Sequence, residues 1–375
     1  MSERSQFMKI ERIRAFRMVQ PFVDGPYRLS KGRVADAFDS VIVEISSGGV
    51  TGWGEMAPLG TFYSAAFAAG AEAGVREIAP HLLGHDPRAL TQVTRLMDTV
   101  FKGHPYIKSA IDMALNDLAA RAAGVPLVTM LGGQEGETAE LYKVVTHGEP
   151  DAMARNAVKY VTDGYRRLQV KVGGDVRGDI DRVTAVAGAV PRGTVIFCDA
   201  NAGWTPFQAR QFADQTRDID YVFEQPCVTI DDNLSVRRSV DKPMVLDESV
   251  QSLEDLLDIH RKGVADGITL KISRLGGVSR TRQLRDLAVD LGLMVTVEDT
   301  GGAEIDTAAM AHLSLSTPVE KRLHAIAFHE WVTVRTARNA PPVFDGSRIG
   351  VPEGAGLGID VDPGLIGSPF LDLRA

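Results

Sequence analysis

Five ionisable residues each close a short, largely apolar, strand-like run. Lys171 lies in RRLQVKV, Asp199 in TVIFCDA, Glu224 in DYVFEQP, Asp247 in PMVLDES and Lys271 in GITLKIS. Three carboxylates brought together repel one another and do not all stay ionised unless a cation joins them. An all-oxygen donor set suits Mg²⁺, which keeps open positions for water or substrate. A lysine on either side of the three would put an ammonium on each face of a molecule held there. Such a set suits proton removal next to a carboxylate. A carboxylate α-proton is very weakly acidic, and a Lewis acid at the carboxylate oxygens stabilises the charge that builds on them. A lysine serves as the base when its pKa falls toward neutrality, which nearby positive charge and a dry site both favour.

These five groups act together only if the chain brings the ends of their strands to one place. From LYKVVT onward, strand-like runs alternate with amphipathic segments such as DDNLSVRRSV and SLEDLLDIHRKG. The runs RRLQVKV, TVIFCDA, DYVFEQP, PMVLDES, GITLKIS, LMVTVEDT and LHAIAFHE complete eight β/α-like units. Their spacing of roughly 25 residues fits a parallel barrel, whose active site gathers at the C-terminal ends of the strands. No glycine-rich dinucleotide fingerprint follows the first strand, which argues against a doubly wound open sheet. The barrel is expected over residues 131–345. Residues 1–130 read as an α+β capping domain. IERIRAFRMV and DSVIVEISS alternate as antiparallel strands, and Gly48-Gly49 turns the chain into VTGWGEMAP. Helical patterns follow, the last with Ile111, Ala114, Leu115, Leu118 and Ala119 on one stripe and a stop at Gly124. Residues 346–375 are Gly- and Pro-rich with little periodicity.

Composition narrows the function classes. The 375 residues are 44% hydrophobic and 24% charged, ordinary for a globular protein. A formal net charge of -8 supplies no basic footprint for nucleic acid. The start, MSERSQFMKIERIRAF, has no apolar signal core, and no apolar run reaches a membrane span. Two cysteines, Cys198 and Cys227, make no disulfide framework. A cytoplasmic enzyme acting on a small molecule is the expectation.

The motifs VKV, CDAN, EQP, LDES and LKISRLGG, with the PLVTMLGG junction at Pro126 to Gly133, resemble the enolase superfamily and its muconate-lactonising subgroup. The resemblance covers nearly the whole chain. It implies a modified (β/α)7β TIM-type barrel under an N-terminal α+β cap, with the C-terminal segment returning to the cap. It implies one Mg²⁺ per subunit on Asp199, Glu224 and Asp247, with Lys171 and Lys271 as the acid/base pair. The shared step is removal of the proton α to a carboxylate, giving an enediolate. The resemblance also implies symmetric assemblies of identical subunits.

One departure directs the substrate reading. The subgroup usually has Lys-x-Lys on the second strand, whereas Gln169 stands at the first position here. Gln169 can only donate or accept hydrogen bonds. VEDTGGAEI also lacks the Asp-x-Asp that dipeptide epimerases use for a substrate amino group. RLQVK, DGPYRLSKG, GWGEMAPLG and GHPYIKSAIDMALNDL instead resemble a smaller group acting on proline derivatives. That group includes cis-3-hydroxy-L-proline dehydratases and hydroxyproline-betaine 2-epimerases. The betaine enzymes carry a Trp where this chain has Thr300, and a quaternary ammonium favours an aromatic face. The free imino acid and the dehydratase are therefore the leading reading. A 2-epimerase or racemase of proline or its betaine is the alternative, and a non-catalytic carboxylate-binding protein on the same scaffold is the competitor from another class. Tyr27, Leu59, Phe62 and Tyr63, in two cap loops, could shape specificity or simply pack. Asn201 and Trp204 could support the metal or pack at a strand end. Asp299 is a candidate for a substrate ammonium, with helix capping the other reading. His104 and Tyr106 are assigned to positioning their helix, and His329 and Trp331 to packing.

Overall fold

The computed structural model describes residues 8–375. Residues 1–7, part of the start read above as lacking a signal core, lie outside them. The cap opens with an antiparallel meander of β1 (Arg12–Pro21), β2 (Ala37–Ser47) and β3 (Val50–Met56). Gly48 and Gly49 both have positive φ, 58° and 80°, and pair Ser47 with Val50 across a two-residue turn. That geometry favours glycine at both positions. Helices α1 (Ala68–Ile78), α2 (Leu90–Val100) and α3 (Pro105–Ala123) follow. Gly124, at φ 69°, ends α3 as its pattern predicts. The expected stripe of α3 is buried, and so is every other residue from Tyr106 to Ala120. One side of α3 packs on β3, where Gly52 and Gly54 let it approach: a Cβ at Gly54 would lie 2.0 Å from the Ala110 carbonyl oxygen. Other α3 residues meet the barrel: Asp112 accepts a hydrogen bond from Ser279 N of the barrel, and another from Thr94 Oγ1 of α2 within the cap.

Seven parallel strands form the barrel sheet in sequential order: β4 (Tyr142–Val145), β5 (Arg167–Lys171), β6 (Val195–Asp199), β7 (Val222–Glu224), β8 (Met244–Leu246), β9 (Gly267–Lys271) and β10 (Met294–Glu298). The intervening and flanking helices are α4 (Pro150–Thr162), α5 (Val176–Ala189), α6 (Pro206–Gln215), α7 (Ile230–Arg237), α8 (Leu253–Lys262), α9 (Val278–Asp290) and α10 (Glu304–Leu315). Asp175, Thr205, Thr229 and Ser252 accept N-terminal backbone hydrogen bonds at four of them.

The eighth run, LHAIAFHE, differs from expectation. It makes an isolated bridge of Ala325 with Leu141, and Arg322 just before it bridges Val295, rather than forming a strand. Leu323 N donates to Val295 O, and Ala325 N donates to Glu140 O. The ring still closes, because each edge finds a backbone partner. The segment then turns through the short helix Phe328–Glu330, whose Phe328 packs edge-on against Phe38 of the cap. Docking under the cap thus ends the pairing. The chain finishes with β11 (Leu371–Arg374), antiparallel to β1 at the outer side of the cap sheet.

The cap sheet has two apolar faces. Ile13, Val43 and Ile45 pack with α1 and α3 inside the cap. Phe16, Phe38, Ile42 and Trp53 belong to the core shared with the barrel. Among the described residues, no helix is long and apolar enough to cross a membrane.

Candidate active site

Parallel ladders put the strand-end groups in register. Lys171 lies opposite Asp199, Asp199 opposite Glu224, and Lys271 opposite Glu298. Asp247 sits one residue beyond β8. All are buried, and Lys171, Asp199, Asp247, Lys271 and Glu298 line one small cavity. Leu29, Phe38, Leu59, Phe328 and Trp331 form much of its apolar wall, and Tyr27 and Tyr63 add two phenols.

Contacts within the mouth are dense. Lys171 Nζ donates to Asp199 Oδ2 at 2.5 Å. Lys271 Nζ reaches Glu298 Oε1 at 2.7 Å and Asp247 Oδ2 at 3.1 Å. Arg274 Nη1 donates to Asp247 Oδ1 at 2.7 Å, and Tyr63 OH donates to Asp247 Oδ2 at 3.0 Å. Gln169 Nε2 donates to Glu224 Oε2 at 2.9 Å. Gln169 therefore braces a carboxylate where the subgroup usually has a second cation.

Burial raises the Glu224 pKa well above the usual carboxylate range, and the charges of Asp199, Asp247 and Glu298 raise it further. Asp247 is also buried, which works against ionisation, but Arg274 and Lys271 hold its pKa down to about 2. Burial alone would lower the pKa of both lysines. Asp199, Tyr27 and Glu224 outweigh it at Lys171, and Asp247, Glu298 and Tyr63 outweigh it at Lys271, so both end raised. That is the reverse of what a lysine base needs, and the cause is the unshared carboxylate charge.

The expected metal cage is not assembled by these side chains. Among the described residues, no three His, Cys, Asp or Glu groups are gathered so as to hold a metal ion. Each candidate ligand has instead turned to the nearest donor: Asp199 to Lys171, Glu224 to Gln169, and Asp247 to Lys271 and Arg274. The donor set still fits a hard divalent cation. It offers carboxylate oxygens on adjacent strand ends, and at Glu224 their mutual repulsion is only partly offset by Lys171.

Other sequence candidates sort by their partners. Asp299 accepts from Ser273 N at 2.8 Å, from the Ser273 hydroxyl, and from Thr300 N at 2.7 Å. It caps the single turn Ile272–Leu275, the second of the two roles considered for it, and it also lines the cavity. Thr300 Oγ1 donates to Ala57 O at 2.7 Å and ties the barrel to the cap. Asn201 N donates to Asp199 Oδ1, and its amide donates to Glu248. Trp204 packs against Phe212 and Phe223. Phe62 is 38% exposed and lies outside the cavity lining, as do His104 and Tyr106. Trp331, assigned to packing, also forms cavity wall and meets Tyr27 edge-on at 5.5 Å. Sequence reasoning missed Tyr142 and Arg274. Arg274 stands within LKISRLGG, where the turn after β9 brings it back onto Asp247. Tyr142 opens β4 and carried no comparable signal.

Two family models match this chain. Enolase C-terminal domain-like covers residues 152–365, and the mandelate racemase/muconate lactonizing enzyme N-terminal domain covers residues 12–132. The chain belongs to the enolase superfamily. A cis-3-hydroxy-L-proline dehydratase from Roseibium aggregatum is 38% identical over 363 residues, 96% of this chain and 99% of the relative. An L-Ala-D/L-Glu epimerase from Bacillus subtilis is 30% identical, covering 94% of this chain and 97% of the relative. A solved enolase-superfamily structure from Roseovarius nubinhibens, complexed with magnesium, superposes with a TM-score of 0.92 at 36% identity. That match covers 98% of this chain and 100% of the other. The superfamily thus includes both lyases and epimerases among the relatives of this chain.

Proposed function

We propose that this protein dehydrates cis-3-hydroxy-L-proline to Δ1-pyrroline-2-carboxylate, with Mg²⁺ on Asp199, Glu224 and Asp247. The observation that carries the reading is the placement of Lys171 and Lys271, on β5 and β9 at either side of the carboxylate row, in the wall of one buried cavity. The near-full-length similarity to a cis-3-hydroxy-L-proline dehydratase supports the substrate. Bound Mg²⁺ would supply Lewis-acid stabilisation of charge on the substrate carboxylate. Asp199 and Asp247, as its ligands, would share their charge with it, which would weaken the largest influences that raise the two lysine pKa values.

In cis-3-hydroxy-L-proline the hydroxyl and carboxylate share one ring face, and the α-hydrogen is on the other. One lysine takes the α-proton. The electron pair left at Cα forms the C2–C3 double bond as the C3–O bond breaks. The other lysine protonates the departing hydroxyl, which leaves as water. The enamine product tautomerises to Δ1-pyrroline-2-carboxylate. The aromatic and aliphatic wall would limit the access of bulk water to these transfers.

The same pair also serves a second reading, 2-epimerisation, in which the proton returns to the opposite face. The epimerase relative keeps that reading open. A screen of proline derivatives in D₂O separates the two. Loss of hydroxyl with pyrroline formation, abolished by EDTA and restored by Mg²⁺, supports dehydration. Cα deuterium with the hydroxyl retained selects epimerisation. No turnover or exchange across the hydroxyproline isomers sinks both.

A further inference from the structure

The two lysines are supported differently. Each faces an acid across its ladder: Lys171 faces Asp199, and Lys271 faces Glu298. Asp199 belongs to the proposed ligand set, so Lys171 must share its partner with the metal. Glu298 does not. The strand on the other side of Lys171, β4, offers no acid, since its residues are Tyr142, Lys143, Val144 and Val145.

Glu298 is itself held at both oxygens. Oε1 meets Lys271 Nζ at 2.7 Å, and Oε2 accepts a 2.6 Å hydrogen bond from Tyr142 OH. Tyr142 is buried, with its ring 4.5 Å from that of His324. A chain of contacts therefore runs from the barrel interior through Tyr142 and Glu298 to Lys271.

We propose that Glu298, anchored by Tyr142, is a positioning residue that aims Lys271 at one face of the substrate, whereas the acid facing Lys171, though also held by Asn201 N, belongs to the proposed ligand set. This rests on the two-lysine reading above. Positioning is worth a great deal when a proton must move along one line, since small displacements of a reacting group cost large factors in rate.

The test uses Cα deuterium exchange of both enantiomers of proline and cis-3-hydroxyproline, with Mg²⁺ present. K271A identifies the enantiomer served by Lys271. E298Q should slow exchange of that enantiomer about tenfold or more, and leave the other within about threefold. Y142F should shift the same ratio in the same direction by less. A merely structural role would slow both enantiomers alike. A second readout needs neither metal nor substrate. In magnesium-free protein labelled with ¹⁵N-lysine, E298Q and Y142F should shift or broaden the Lys271 ammonium signal, assigned with K271Q, and spare that of Lys171. Exchange by the wild type with an unchanged ratio in E298Q overturns the proposal, as does a Lys271 signal unmoved by E298Q. A selective Lys271 change in protein that exchanges no proline derivative keeps the positioning role and discards the substrate reading.

Discussion

The barrel mouth and the cap build opposite halves of one cavity by different means. The mouth is charged, and neighbouring strands set its side chains. Lys171, Asp199 and Glu224 form one row because parallel ladders align them. The cap contributes Tyr27, Leu29, Phe38, Leu59 and Tyr63, with no charged side chain in the cavity wall. Most of these sit on connecting segments, so docking of one domain on the other decides their place. The docking has a polar seam as well as an apolar one. Glu55 of β3 accepts backbone hydrogen bonds from Ala303 and Asp306 at the start of α10, and is held by Gln20 and Ser40. A cap carboxylate thus serves as the N-terminal acceptor of a barrel helix. The difference teaches that the mouth supplies chemistry through register, whereas the cap supplies enclosure through packing.

If that division holds, damage to the mouth should remove turnover and spare the fold. K171A and K271A should each lower turnover about 10³-fold or more, with the unfolding midpoint in urea little changed. A mild loss in either variant breaks the two-lysine half of the comparison.

Damage to the cap should act through the fold instead. Gly54→Ala places a Cβ 2.0 Å from Ala110 O and 2.7 Å from Ala114 N, so α3 must move away from β3. A loss of about 3 kcal/mol in urea unfolding is expected. Activity should fall with it, since α3 also contacts the barrel.

A pH experiment sharpens the barrel side. His324 is buried against Tyr142 and Phe197 inside the barrel. Burial, with a smaller push from Arg167, lowers its pKa from 6.5 to about 3. It is therefore neutral in the fold, while the unfolded chain takes up a proton below pH 6.5. Its contribution to stability is complete above that pH and is lost as pH falls from 6.5 toward 3. His324→Phe should make the stability curve shallower in this window by about 1.4 kcal/mol per pH unit. Urea titrations at pH 6.5 and pH 5 measure the slope, and an unchanged slope refutes the assignment.

The smallest effect is expected at the seam. Thr300→Ala removes the donor to Ala57 O and should cost about 1 kcal/mol. Because Thr300 also lines the cavity, KM should rise more than kcat falls. Equal losses in both would place Thr300 in the chemistry instead.

The legibility of the site follows the same division. Lys171, Asp199, Glu224, Asp247 and Lys271 could be picked out because each ends a strand-like run, and a parallel barrel brings such ends together. The stripe of α3 and the turn at Gly48-Gly49 were legible for similar local reasons. The eighth run was misread as a strand because its apolar residues bridge the two sheet edges only briefly before packing beneath the cap. Both roles of Asp299 stood open in the sequence because nothing in VEDTGG announces that Ser273, on the neighbouring strand's turn, will donate to it. Trp331 looked like packing because its contact with Tyr27 joins residues far apart in the chain.

The sequence by itself determined the order of secondary structure up to the eighth run, the strand-end acids and bases, and the replacement of a lysine by Gln169. These are local properties, set by periodicity and by residue type at a strand end. Tertiary structure decided which groups each of them meets: Gln169 with Glu224, Tyr142 with Glu298, and Arg274 and Tyr63 with Asp247. Hydrogen bonds and ion pairs act over a few ångströms between segments distant in the chain, so their partners exist only once the barrel has closed and the cap has docked.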